Sequence, residues 1–192
     1  MKIVTAELSG TSISFSRQHE EPKLEGENAD DYDHRTWRHK LHYDNKGEIF
    51  IPGIMLKFAL DYTAKTLGMK IQGRGNKQWA TIFNSGILCT DPIMLGINKN
   101  KIKNISVMCN PKGIRGGGSR VPRRFPLIDT GWKGLVQLFV VNDEITQTIL
   151  ELHLERAGQI CGLGRYAARV GGSHGRFIVS EFVWDDQARV IQ

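Results

Sequence analysis

Between residues 162 and 176, five glycines (Gly162, Gly164, Gly171, Gly172 and Gly175) alternate with Arg165, Arg169, His174 and Arg176. Glycine has no Cβ, so such a run turns sharply and lets its backbone come close to a ligand. Exposed amide N–H groups favour an anion, and guanidinium groups add positive charge with directed donors. The chemistry on offer is phosphate or nucleic-acid contact, with a plain turn region as the simpler alternative. Gly162-x-Gly164-x-x-Ala167 also fits the dinucleotide-binding pattern, but that pattern has to follow a strand and open a helix. Here the run follows a helix-like stretch and leads into the apolar strand Phe177–Val183, so dinucleotide binding is rejected. The chain has no Gly-Lys-Ser/Thr phosphate loop.

A second cationic feature lies upstream. From Lys99 to Arg124 there are eight lysines and arginines and no acid, which marks a face for a polyanion. Lys112, Arg115, Arg120, Arg123 and Arg124 share this strip with three consecutive glycines and two prolines. That composition reads as an arm gripping phosphates, with Phe125 or Trp132 as a stacking surface, or else as a plain surface loop. The opposite sign gathers between Glu20 and Asp33, seven acids against one lysine, and could meet the basic arm of a neighbouring copy. His34, His39 and His42 stand near Asp30, Asp31 and Asp33. They are the candidates for acid–base chemistry on RNA, although surface histidines beside acids are common and the spacing matches no standard metal-ligand pattern. Neither a metal nor a cofactor is expected.

The elements that must position these groups follow from periodicity. Residues 2–16 alternate as a strand, 18–34 read as a loop, and Trp37–Tyr43 reads as a short strand. Glu48–Ile51 is strand material broken by Pro52-Gly53, and Ile54 to Leu67 has helical spacing, with Met55, Phe58, Ala59 and Tyr62 on one face and Gly68 as its stop. Thr81–Leu88, Met94–Ile97, Ile105–Cys109 and Leu135–Val141 read as strands, the last as a central one. A second helix, capped by Asn142 or Asp143, carries Ile145, Ile149, Leu150, Leu152 and Leu154 and ends at Gly158. The order β-α-β-β-α-β predicts an α+β, ferredoxin-like fold: an antiparallel sheet with two helices on one face. One domain over residues 1–192 is expected, with loop insertions near 17–36 and 110–126.

The 192-residue length fits one domain of roughly 100–200 residues, and the 40% apolar content is ordinary for a globular protein. No run approaches the roughly 18 apolar residues of a membrane span, and Met-Lys-Ile-Val-Thr-Ala-Glu at the start lacks the apolar core of a signal peptide. Cys89, Cys109 and Cys161 are odd in number and widely spaced, which argues for a reducing compartment without a disulfide framework or zinc site. A cytoplasmic protein is the expectation.

Two segments resemble a known family. Ile51-Pro-Gly-Ile-Met-Leu-Lys-Phe-Ala-Leu60 is similar to the helix-opening motif of the RAMP superfamily of CRISPR-associated proteins. Gly162-Leu-Gly-Arg-Tyr-Ala-Ala-Arg-Val-Gly-Gly-Ser-His-Gly-Arg-Phe177 resembles that superfamily's C-terminal glycine loop, in the matching place after the second helix. The resemblance implies a backbone-type subunit that binds single-stranded RNA such as a guide (or single-stranded DNA). It implies copies of itself or other effector-complex subunits as partners, and adds Lys57 of the first motif to the nucleic-acid-binding set. The same superfamily holds endoribonucleases, and a phage-type protein that mimics or blocks an effector subunit would share these motifs.

Overall fold

The computed structural model describes residues 1–110 and 120–186. The chain begins with β1 (Lys2–Gly10), whose Val4, Ala6 and Leu8 point inward at every second residue, and the short β2 (Ile13–Ser14). Helix α1 (Ala29–Thr36) follows, then a 3-10 turn over Trp37–Lys40 and β3 (Glu48–Ile51). Helix α2 (Gly53–Leu67) stops at Gly68, which takes the left-handed conformation of a helix C-terminus. Next come α3 (Trp79–Gly86), β4 (Ile87–Leu88), β5 (Ile93–Asn98), β6 (Lys103–Cys109), β7 (Val121–Ile128) and β8 (Trp132–Val140). Helix α4 (Gln147–Arg156) runs on through a π-helical turn, Ala157–Cys161, and β9 (Phe177–Asp185) is the last strand.

The central sheet has the strand order β4-β8-β1-β9, and every pairing in it is antiparallel. With α2 joining β1 to β4, and α4 joining β8 to β9, this is the ferredoxin-like βαββαβ layout expected from the sequence. Leu56, Ala59, Leu60 and Ala64 of α2 and Leu150, Leu154 and Ala157 of the second helical segment share one core with Val4, Ala6, Leu8, Val136 and Leu138. Two smaller sheets, β3-β5 and β2-β7-β6, stand beside this core. The second is the relevant one, because it presents the hairpin β6–β7 to the glycine run. Among the described residues no helix is long and apolar enough to cross a membrane.

Several local expectations are corrected. The stretch 18–34 is not all loop: Asn28 Oδ1 accepts from the amides of Asp30 (2.9 Å) and Asp31 (3.0 Å) and starts α1. Trp37–Tyr43 is no strand, since Trp37–Lys40 forms a 3-10 turn with Trp37 buried. Thr81–Leu88 is mostly helix: Trp79, Ile82, Phe83 and Gly86 recur at helical spacing and are all buried. The second helix is capped by Thr146, not by Asn142 or Asp143, and it passes Gly158. On α2, Phe58 (64% exposed) and Tyr62 (41%) face solvent, and the buried face is Leu56, Ala59, Leu60, Thr63 and Ala64. That helix is apolar nearly all round, so its sequence leaves the phase of the buried stripe open.

Candidate nucleic-acid interface

The glycine run is built by close backbone approach. A Cβ at Gly164 (φ +74) would collide with the Ser14 carbonyl oxygen, and one at Gly175 (φ +70) with that of Leu163. The amides expected to face an anion are already spent. Leu163 N donates to Gly175 O (2.9 Å), Arg165 N to Ser14 O (2.7 Å), His174 N to Tyr166 O (3.1 Å) and Gly175 N to Ser12 O (2.8 Å). For the glycines, the turn reading describes the geometry, so any anion chemistry falls to the side chains. Tyr166 sits at φ 57, a region that costs a non-glycine residue of order 1 kcal/mol or more.

That strained backbone sets Tyr166 against Arg165. The Arg165 guanidinium lies 4.0 Å over the Phe125 ring and 4.8 Å over the Tyr166 ring. Its Nε is buried without a hydrogen-bond partner, and its Nη2 makes a long contact of 4.0 Å to Cys109 Sγ. The two rings, whose planes stand at 86°, hold the group from two sides, and among the described residues its Nε stays unpartnered. The neighbouring cations differ. Arg169 donates to Gly162 O (3.1 Å) although the residue is exposed, and Arg176 donates to Gln159 O. His174 Nδ1 is 3.4 Å from Ser12 Oγ.

The hairpin supplies the rest. Arg124 pairs with Asp30 (2.8 Å), and its amide donates to Asp33 Oδ2 (2.6 Å). Arg123 lies 3.7 Å from Asp33 Oδ1. Lys40 Nζ donates to Asp33 Oδ1 (2.6 Å) and to Arg124 O (2.6 Å). Asp30 and Asp33 therefore already meet the basic hairpin of their own chain. Farther back, the Arg35 guanidinium holds the Glu27 carboxyl down to about 2.

Two clefts flank Arg165. The outer, about 660 Å³, is lined by Arg17, His42, Met55, Arg165, Tyr166 and Arg169. The inner, about 330 Å³, has His19, Lys40, Cys109, Arg123, Phe125 and Arg165 in its wall. The other expected site residues lie apart. Lys57 is buried, donating to Asp61 (2.6 Å) and to Asn84 O (3.1 Å), and so ties α2 to α3. Arg176 lines a separate cleft of about 440 Å³ with Phe177 and Ile178. Arg120 is exposed at the start of β7, whereas Lys112 and Arg115 lie outside the described residues. His34 is exposed on α1, the His39 ring is 5.6 Å from His19, and burial pushes the half-buried His42 below the usual histidine range. Among the described residues no three His, Cys, Asp or Glu side chains converge as for a metal.

Neither expected stacking surface is open. Trp132 is buried and donates to Thr11 O (2.7 Å), and Phe125 is buried with Arg165 over its ring and Lys40 Nζ 4.7 Å from its centre. Sequence reasoning missed His19, Arg17 and the role of Tyr166. The acid-rich, poorly periodic segment hid the α1 turn that brings His19 and Lys40 to the hairpin.

No protein-family model and no curated protein sequence matches this chain. Among solved structures, it is similar to a chain of the cryo-EM structure of type III-B Cmr-beta bound to cognate target RNA. The TM-score is 0.58 and the identity 14%, over 96% of this chain and 60% of that one. It is also similar to the crystal structure of Cmr6 from Pyrococcus furiosus, with a TM-score of 0.48 and 14% identity over 93% of this chain and 99% of the other. The first likeness is one of fold, and this chain spans 60% of the length of the chain it matches there.

Proposed function

We propose that this protein binds single-stranded nucleic acid, RNA rather than DNA, as a subunit of a CRISPR-type ribonucleoprotein. The observation that carries the reading is Arg165, held by the Phe125 and Tyr166 rings with its Nε unpartnered among the described residues, in a wall shared by two cationic clefts. The strand runs along the outer cleft, its phosphates on Arg17, Arg165 and Arg169. His174 lies beside Tyr166 at 6.2 Å between ring centres, and Lys112, Arg115 and Arg120 of the basic arm add further positive charge for the same strand. The preference for RNA draws on the fold likeness to a chain of a complex that holds target RNA. On this reading the protein is one RAMP-like domain in the cytoplasm, alongside copies of itself or other effector subunits.

Fluorescence anisotropy with labelled RNA and DNA oligonucleotides of about 16 nucleotides tests the reading, that length being at the upper end of common single-strand site sizes. RNA binding that weakens steeply with salt is expected. Equal indifference to RNA and DNA at low salt overturns it. The endoribonuclease alternative rests on His42, which lines the outer cleft. Electrophoresis of the same RNA after incubation decides it: defined products lost on His42→Ala favour cleavage.

A further inference from the structure

We infer that the inner cleft is a separate subsite for a phosphomonoester, the phosphorylated end of a nucleic-acid strand. Its volume of about 330 Å³ is at the low end for small-ligand sites, roughly 300–1,000 Å³, which suits one terminal nucleotide rather than a continuing strand. Three cations, Lys40, Arg123 and Arg165, line it against one carboxylate, Asp33. That carboxylate is engaged on both oxygens, by Lys40 Nζ and by the Arg124 amide. The surplus is positive, matching a group that carries about −1.5 to −2 at neutral pH.

Two polar atoms without partners set this cleft apart from an ordinary charged surface. Arg165 Nε and His19 Nδ1 are both buried with no hydrogen-bond partner. An unpaired buried donor costs of order 1–3 kcal/mol; Arg165 Nε is such a donor, His19 Nδ1 is one in the tautomer that carries its proton there, and a phosphate reached by a small turn of these side chains would remove that cost. Arg165 lines both clefts, so a strand held on it in the outer one has its end within reach of the inner one. The assignment to a strand end thus rests on the function proposed above, whereas the phosphate chemistry of the cleft stands on its own residues.

The test compares one RNA sequence with a 5′-phosphate, a 3′-phosphate or hydroxyls at both ends, by anisotropy on the full chain. A single phosphorylated end is expected to bind about tenfold more tightly than the hydroxyl form. His19→Ala and Arg123→Gln should each erase that preference, and His19→Ala should keep the affinity for the hydroxyl form. Equal affinity for all three RNAs overturns the subsite and leaves strand binding standing. A second arm measures the thermal midpoint with adenosine monophosphate and with inorganic phosphate. If no RNA binds but either ligand raises the midpoint of the native protein and not of Arg123→Gln, the phosphate cleft stands and the strand reading falls. If neither RNA nor these ligands bind, both are overturned.

Discussion

Lys40 and Asp33 form a short ion pair, 2.6 Å from Nζ to Oδ1, with the two side chains only 13% and 2% exposed. Burial pushes the Lys40 ammonium below the usual lysine range, and Asp33 is what opposes that push. The pair also grips the hairpin, through the Arg124 carbonyl on one side and the Arg124 amide on the other. Removing one partner strands the other in a poorly hydrated place. Asp33→Ala should cost about 3 kcal/mol, and at about 2–4 °C per kcal/mol for a chain of this size it should lower the Tm by roughly 6–12 °C. Asp33→Ala with Lys40→Met should cost less than the sum of the two single variants, as read from urea midpoints.

The stacked guanidinium of Arg165 makes a separate prediction about binding. Arg165→Ala should weaken RNA affinity about tenfold and reduce the magnitude of the salt slope by about 0.7, the share of one phosphate contact on a single strand. Arg165→Lys keeps the charge but gives up the guanidinium's contact with the Phe125 and Tyr166 rings. Without that hold from two nearly perpendicular rings, it should restore the salt slope while recovering only part of the affinity. Anisotropy titrations at several salt concentrations separate the two quantities.

Lys112 and Arg115 act through charge alone on the proposed reading. Replacing both with alanine should weaken binding evenly across RNA sequences and reduce the salt slope by about 1.4. A loss confined to one sequence would assign the arm to base recognition instead. Lys57→Met is the contrasting variant, because Lys57 is committed to Asp61 and Asn84. Urea denaturation should show it destabilised, while its RNA affinity stays that of the native chain.

The glycine run predicts position-dependent tolerance. At Gly171 (φ +80) a Cβ meets nothing within 4 Å, so alanine pays only the left-handed backbone cost, about 1 kcal/mol. At Gly172 it would run into the Tyr166 carbonyl oxygen, and at Gly175 into that of Leu163, at φ +70 as well. Those two substitutions should cost about 3 kcal/mol or more, because backbone must move. Denaturant midpoints of the three alanine variants, measured without RNA, check the order.

Much of this arrangement was legible beforehand, for reasons that can be traced to residues. The ferredoxin-like order was readable because β1, β8 and α4 carry strong periodic signals, as in the buried Val4, Ala6 and Leu8. The glycine run was placed correctly after the second helix, but its chemistry was not readable from composition. Whether an amide faces a ligand or the Ser14 carbonyl depends on a contact across about 150 residues. His19 was hidden for the same reason, since it meets a hairpin about 100 residues away in sequence.

His153 gives the molecule a pH dependence of definite sign. It is fully buried on α4 with its ring 4.4 Å from Phe83, its Nδ1 2.7 Å from the Ile149 carbonyl oxygen, and its Nε2 without a partner. Nδ1–H donates to that carbonyl, so the neutral ring suits the site and a proton on Nε2 would be buried unpaired. Burial accordingly pushes the group below its ordinary value of 6.5. Below that value the unfolded chain takes up a proton that the folded chain refuses, so stability is full above about pH 6.5 and declines as the pH falls toward the folded-state value. His19 and His42 are shifted in the same direction, also by burial first, and add to the decline. Urea midpoints between pH 7.5 and 5 should therefore fall for the native chain. For His153→Leu they should fall by less, with the difference confined to pH values below about 6.5; an unchanged pH profile would mean that His153 is protonated in the folded core.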